Sequence, residues 1–108
     1  MKASSLFRDI PQSLPQESID ILAQSSNVKV ERIVSRGHIS PDNGWYEQSQ
    51  DEFVLLVEGQ AEITFESSVI CLNRGDYLTI PAGVKHKVSF TSTVPDAIWL
   101  TVFFDGNA

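Results

Sequence analysis

The sequence predicts an all-β fold, a single antiparallel sandwich or barrel. After Asn27, short segments of alternating polarity follow one another, and Gly, Pro and Asn residues separate them. The chain has 108 residues, enough for one hydrophobic core and too few for two ordinary domains. Hydrophobic residues make up 42% and charged residues 20%, proportions typical of a folded globular domain. We therefore expect one domain with little helix.

Residues 1–27 are predicted to form a helical segment that packs on a barrel of residues 28–108. Ser13 and Gln16 have the spacing of a capping box, and Pro15 falls within the first turn. Three apolar residues can share one face of this short helix: Leu14, Ile19 and Leu22.

Seven strands are predicted after this segment. The first starts at Val28, where Val28 and Val30 alternate with Lys29 and Glu31. The other six cover residues 52–57, 61–66, 69–72, 77–80, 85–90 and 98–104. Strands this short and this regularly spaced indicate a sandwich or a barrel.

Two of these strands, residues 53–57 and 98–104, are apolar on both faces. One face can line the barrel, and the other then needs a cover, which the N-terminal segment and a second subunit would supply. We therefore expect a homodimer, with Trp99 on the outward face. The alternative is that a barrel of this size closes over both strands by itself.

Charge and hydropathy argue against two classes of partner. The net charge of −6 disfavours nucleic acid, which needs clustered Lys and Arg to replace its counterions. The longest apolar runs, such as residues 53–57, are far shorter than the roughly 20 residues that span a bilayer. The first residues contain no apolar block of signal-peptide length. We expect a cytoplasmic protein without nucleic-acid or membrane partners.

Two segments resemble the sequence motifs of the cupin family. Glu52 is followed by six residues and then Gly59, as in the second half of the first cupin motif. Four residues match the second motif, G-x5-P-x-G-x2-H: Gly75, Pro81, Gly83 and His86. The resemblance extends over residues 28–104 and to small bacterial single-domain cupins, a subgroup without an agreed reaction. It implies an antiparallel double-stranded β-helix, also called a jelly-roll barrel.

The chain departs from the cupin motifs where metal-binding histidines usually stand. Other residues hold these positions: Trp45 and Glu47 with a four-residue spacer, or Tyr46 and Gln48 with a three-residue spacer. The resemblance implies three histidines and one glutamate around iron or manganese, but this chain has only His38 and His86. A centre of two histidines and one carboxylate needs His38 beside His86, yet His38 lies in a turn region between strands. We expect neither centre.

A weaker metal site stays open. His86, Glu52 and either Glu47 or Gln48 could bind Mn, Fe, Zn or Ni through one imidazole and several oxygens. Glu47 and Gln48 are neighbours, so only one of them is expected to face the site. The alternative is a pocket without metal, in which His86 hydrogen-bonds Glu52 and water.

Three further residues are candidates for ligand binding. Trp45 and Tyr46 lie in the segment before Glu52, where they could form an aromatic wall at the mouth of the barrel. The alternative is that they pack in the core. His38 is a weaker candidate, because no acid stands near it in the sequence to orient its imidazole for catalysis.

The sequence is compatible with three functions. The first is a small cupin that binds a metal ion or a small polar metabolite in its barrel without turning it over. The second is a metal-dependent or acid–base enzyme that acts on a small organic substrate, with Glu52 as ligand or base and His86 as ligand or acid. The third is a non-catalytic structural dimer module.

Overall fold

A computed structural model describes residues 1–106 of the chain; the last two residues of the predicted barrel, 107 and 108, lie outside the described residues. Residues 1–106 form two antiparallel sheets. The strands are β1 (Ser18–Gln24), β2 (Val28–Ser35), β3 (Asp51–Glu58), β4 (Gln60–Phe65), β5 (Val69–Asn73), β6 (Tyr77–Ile80), β7 (His86–Thr91) and β8 (Ala97–Phe104). The larger sheet has the order β1-β2-β8-β3-β6, and the smaller has the order β5-β4-β7. The all-β prediction is confirmed, and β2 to β8 lie where the sequence predicts strands.

The predicted N-terminal helix is wrong. Residues 1–106 form no helix. This part of the chain therefore has no helix that could cross a membrane. Residues Ser18–Gln24 instead form β1, which pairs with β2 and places Ile19 opposite Ile33. The reason is that Ile19 and Ile21 are β-branched residues at alternating positions, so the period of two and the open edge of β2 prevail over the capping-box spacing. Residues 1–17, which precede β1, form neither helix nor strand, and residues 25–27 connect β1 to β2.

The two sheets enclose the hydrophobic core, and alternation along β3 and β8 decides which side chains enter it. On β3, Glu52, Val54 and Leu56 are buried, whereas Phe53 and Leu55 are only partly buried on the outer face. The core cluster comprises Val54, Leu56, Ala61, Ile63, Leu72, Ile80, Ala97 and Trp99. Trp99, predicted to face outward, is 3% exposed and belongs to this core. Its Nε1 donates a hydrogen bond to Ser35 Oγ, which satisfies the indole.

Two arginines fasten the N-terminal segment to the outside of the larger sheet. The guanidinium of Arg32 donates to both the Asp20 carboxylate and the backbone carbonyls of three N-terminal residues: Leu6, Arg8 and Asp9. Arg36 pairs with Asp96 and also donates to the carbonyls of residues 11 and 12. The N-terminal segment held by these bonds covers part of the outer face, where the sequence predicts that a helix would lie.

Gly59 explains why the first cupin-like motif needs glycine at its end. Its φ is +88°, a left-handed conformation that residues with a Cβ rarely adopt. A Cβ here would also lie 2.6 Å from the carbonyl oxygen of Asp96. The tight connection between β3 and β4 therefore requires glycine, as the sequence predicts.

Candidate functional site

A cavity of about 280 Å³ lies between the two sheets. Its walls are mostly apolar, with a small number of polar side chains. The lining residues are Glu17, Ile19, Lys29, Glu31, Ile33, Ser40, Tyr46, Gln48, Glu52, Val54, Ile63, Ile80, His86, Val88, Trp99, Thr101 and Phe103. Apolar walls with few polar groups are the usual composition of a small-molecule site.

Glu52, His86 and Gln48 meet at one end of this cavity. The His86 Nε2 atom lies 3.3 Å from Glu52 Oε1, and the Gln48 side-chain amide donates to the same oxygen at 2.9 Å. The Glu52 and His86 side chains are almost fully buried. Within residues 1–106 the second carboxylate oxygen, Glu52 Oε2, accepts no hydrogen bond. It is therefore available to a ligand.

The fold brings His86 to Gln48 and Glu52, which lie only four residues apart in the sequence. Glu52 is the second residue of β3 and shares the inward face with Val54. His86 opens β7 directly after the Pro81–Gly83 corner, and the Gly83 N–H donates to the Gln48 carbonyl at 2.8 Å. The backbone of Tyr46 forms an isolated bridge with His86, with N···O distances of 2.8 and 3.1 Å. The segment before β3 thus lies along β7 at the mouth.

The hydrogen bonds of His86 define where its protons are. Its Nδ1 lies 2.9 Å from the Val84 carbonyl, which can only accept, so Nδ1 carries a hydrogen and Nε2 faces Glu52. Burial lowers the pKa of His86, but the hydrogen bonds to Glu52 and Val84 and the charge of Glu52 outweigh it and raise the pKa above its usual value. Protonated His86 therefore forms a charge-assisted bond with Glu52.

Comparison with known proteins decides the family. The cupin-domain family model matches residues 35–103, well over half of the chain and including Gln48, Glu52 and His86.

The chain belongs to the cupin family.

Two solved cupin-fold structures resemble it over most of their length. A proposed mannose-6-phosphate isomerase of Ralstonia eutropha JMP134 is 36% identical, with a TM-score of 0.91 over 98% of this chain and 100% of that chain. A cupin superfamily protein of Desulfitobacterium hafniense DCB-2 is 25% identical, with a TM-score of 0.74 over 89% of this chain and 84% of that chain. No curated protein sequence matches the chain.

The structure separates the other candidates around the cupin motifs. Gln48 lines the cavity, whereas Glu47 is exposed and does not. Tyr46 lines the cavity with its ring centroid 5.6 Å from that of His86. Trp45 lies outside, where Lys87 Nζ sits 4.5 Å above its ring. The three-residue spacer places the two histidine positions of the motif at Tyr46 and Gln48, and these two side chains line the cavity.

His38 lies away from the cavity. Its Nδ1 accepts a hydrogen bond from the Arg36 backbone N–H at 2.9 Å, and its Nε2 lies 3.3 Å from the Pro15 carbonyl. The Nδ1 bond lies within the turn after β2, and the Nε2 contact links that turn to the N-terminal segment. His38 does not line the cavity, so its position does not support a role in binding a ligand there.

The donor set does not fit the metal centre that the cupin motifs imply. Within residues 1–106 no three His, Cys, Asp or Glu side chains are close enough to hold one ion. His86 and Glu52 supply two ligands, and Gln48 turns its amide nitrogen, which cannot bind a cation, toward Glu52. A flip of that amide would bring two oxygens together, which is unfavourable unless a cation lies between them.

Two further polar residues of the cavity, Glu31 and Thr101, were not predicted from the sequence. Glu31 faces inward from β2, and Thr101 faces inward from β8. Alternation shows only that Glu31 lies opposite to Val30 and Arg32, and it leaves open which side is the interior. The pairing of β2 with β8 joins residues about seventy positions apart, and no local pattern reveals it.

Proposed function

We propose that this cupin binds a small polar metabolite in its barrel cavity, with Glu52 and His86 at the polar end. The observation that carries the proposal is the free Oε2 atom of Glu52 inside an apolar cavity, while Oε1 is held by Gln48 and His86. Glu52 is only 8% exposed, so the carboxylate oxygen that has no protein partner needs a donor from water or a ligand.

The three side chains have different tasks in this proposal. Gln48 and His86 hold the Glu52 carboxylate in one orientation, so little side-chain freedom is lost when a ligand binds. Oε2 then accepts a hydrogen bond from the ligand, and the Tyr46 ring covers it at the mouth. The cavity volume of about 280 Å³ is at the small end of ligand pockets, which favours a single small molecule.

Binding measurements on matched variants test this proposal. Native mass spectrometry and ligand-observed NMR with a metabolite library should identify a small molecule that binds the wild type. Glu52→Gln and His86→Gln should each weaken its binding about tenfold or more. Glu47→Gln, the same change on a neighbouring exposed residue, is the control and should bind as the wild type does. Equal binding by all variants, or no ligand at all, would contradict the proposal.

An acid–base enzyme is the second candidate. A buried imidazole with a raised pKa beside a carboxylate is a pair that can donate and accept a proton. The 36% identical neighbour is a proposed isomerase, and sugar isomerisation moves a proton between adjacent carbons. Turnover of D-mannose or D-mannose 6-phosphate by the wild type, lost in both Glu52→Gln and His86→Gln, would support this candidate. Turnover that survives both changes would overturn it.

The proposal includes no resident metal. Mn, Fe, Zn or Ni would find only His86 and Glu52 as ligands unless Gln48 turned its oxygen inward. We expect elemental analysis of protein purified without metal addition, and dialysed against a chelator, to find far less than one equivalent. Retention of one equivalent, lost in His86→Ala, would show that the site is a metal centre.

The homodimer stays a prediction. It depends on the outer face of the larger sheet, where Phe53 and Leu55 on β3 lie beside Val102 and Leu100 on β8. All four are only partly buried in the single chain. The third function, a structural dimer module, depends on this same face. The cytoplasmic location also stays an expectation.

A further inference from the structure

Thr101 is the polar residue of the cavity that the fold leaves unsatisfied. It is 2% exposed, and its Oγ1 has no hydrogen-bond partner within residues 1–106. Its side chain lines the cavity from the middle of β8. A buried hydroxyl without a partner is destabilising, and valine would fill the same space without that cost. Rotation about χ1 between staggered positions changes which γ atom faces the cavity, so a ligand can reach the hydroxyl.

Glu31 lies directly beside Thr101. The two residues are paired across β2 and β8, so their side chains leave the same face of the sheet as neighbours. Glu31 is 8% exposed, and its charged partner is Lys29, with Nζ 3.4 Å from Oε2. Within residues 1–106 its carboxylate accepts no hydrogen bond that meets normal geometry. Acceptor capacity therefore remains at this position too.

This pair is separate from the Glu52 end of the cavity. The order β2-β8-β3 puts Glu31 two strands away from Glu52, about 10 Å across the sheet at the usual strand spacing, and the register puts Glu31 level with Val54, two residues along β3 from Glu52. Between the two carboxylates the inward face of the sheet carries Thr101, Val54 and Phe103. A molecule lying across this face reaches acceptors at both ends and apolar surface between them.

The charges of the lining select among ligands. Among residues 1–106, three carboxylates line the cavity, at Glu17, Glu31 and Glu52, together with Lys29 and His86 and no arginine. Lys29 is paired with Glu31, and His86 is bonded to Glu52. A phosphate group needs arginine, lysine or backbone N–H donors, and here it would meet unbalanced negative charge. The carboxylate oxygens of Glu31 and Glu52 can only accept, and the Thr101 hydroxyl can accept or donate, so the hydroxyl groups of a neutral molecule can satisfy them.

We infer that Glu31 and Thr101 form a second subsite that binds hydroxyl groups of a neutral sugar or polyol, and that the cavity rejects the phosphorylated form. This inference rests on the proposed function, because the same molecule reaches Glu52 at the other end. Trp99 and Phe103 supply the apolar wall between the subsites.

The test compares each sugar with its phosphate on the wild type and on matched variants. The probes are D-mannose, D-glucose and D-fructose, each beside its 6-phosphate, titrated by calorimetry or NMR. At least one neutral sugar should bind, and its 6-phosphate should bind about tenfold more weakly or not at all. Thr101→Val and Glu31→Gln should each weaken binding of the neutral sugar about tenfold, whereas the exposed controls Thr79→Val and Glu66→Gln should not.

A second readout separates loss of binding from loss of fold. Thr101→Val should keep or raise the melting temperature while it weakens binding, because it removes an unpaired buried hydroxyl. Binding of a 6-phosphate as tight as that of its neutral sugar would overturn the inference, as would unchanged affinity in both subsite variants. No binding of any neutral sugar would also overturn it. The proposed function would still stand if another metabolite bound and required Glu52 and His86.

Discussion

Neighbouring residues on β2 show two ways in which this protein buries charge. Arg32 points outward under the N-terminal segment, where Asp20 and three backbone carbonyls accept its hydrogen bonds. Glu31 points inward to the cavity, with Lys29 as its charged partner and Thr101 unsatisfied beside it. Both are buried to a similar extent, but only the outer cluster satisfies its own polar groups.

The difference assigns different tasks to the two faces. A buried polar group that finds all its partners within the chain stabilises the fold, as Arg32 does by holding residues 6–9 on the sheet. A buried acceptor or hydroxyl that lacks a partner costs stability, and it remains useful where a ligand completes it. Thr101 is a group of this second kind, and on the same inner face Glu52 Oε2 accepts no hydrogen bond within residues 1–106.

The outer cluster should give the largest loss of stability. Arg32→Met removes the donors of five hydrogen bonds, and we expect the free energy of unfolding to fall by about 2–4 kcal/mol in urea titrations. Arg74→Met is the control: that side chain is 74% exposed, so the free energy of unfolding should change by less than about 0.5 kcal/mol. An equal effect of the two changes would show that Arg32 does not fasten the N-terminal segment.

The rest of the outer face should control association. Phe53→Glu places a charge on the apolar rows of β3 and β8, and we expect it to convert a dimer into a monomer in sedimentation experiments. Val69→Glu, a similar change at an exposed position on the smaller sheet, should leave the dimer intact. A wild type that sediments as a monomer would contradict the predicted homodimer.

The polar end of the cavity should make stability depend on pH. The pKa of His86 is raised in the folded protein, so its contribution is fully present below its ordinary value of 6.5 and is lost as pH rises through the folded-state pKa. The wild type should therefore lose stability relative to His86→Gln as pH rises from 5.5 to 9, followed by urea midpoints. A difference that stays constant over this range would show that Glu52 does not hold the proton on His86.

The inner face should give the smallest change, with the opposite sign to that of Arg32. Thr101→Val removes an unpaired hydroxyl and keeps the shape of the side chain, so the free energy of unfolding should rise by about 1 kcal/mol. The matched change at an exposed position, Thr79→Val, should have little effect. A clear loss of stability in Thr101→Val would mean that the hydroxyl has a partner in solution.

The motif spacings predicted the parts of this molecule that depend on local geometry. Gly59 has the left-handed φ that its turn needs, and Glu52 and His86 meet as the resemblance to cupins implies. The face of Trp99 and the partners of Thr101 could not be predicted, because they depend on how β8 pairs with β2 and β3. The N-terminal helix was wrong for a related reason, since the free edge of β2 recruits residues 18–24 into the sheet.

The central claim is that Glu52 and Glu31 present acceptors to one molecule across the cavity. A high-resolution crystal structure of protein purified from its native host tests it most directly, because it shows what occupies the barrel. We predict density for one small molecule that donates hydrogen bonds to Glu52 Oε2 at one end and to the Glu31–Thr101 pair at the other. Density of isolated waters alone, with the side chains of residues 52 and 86 turned apart, would contradict the claim.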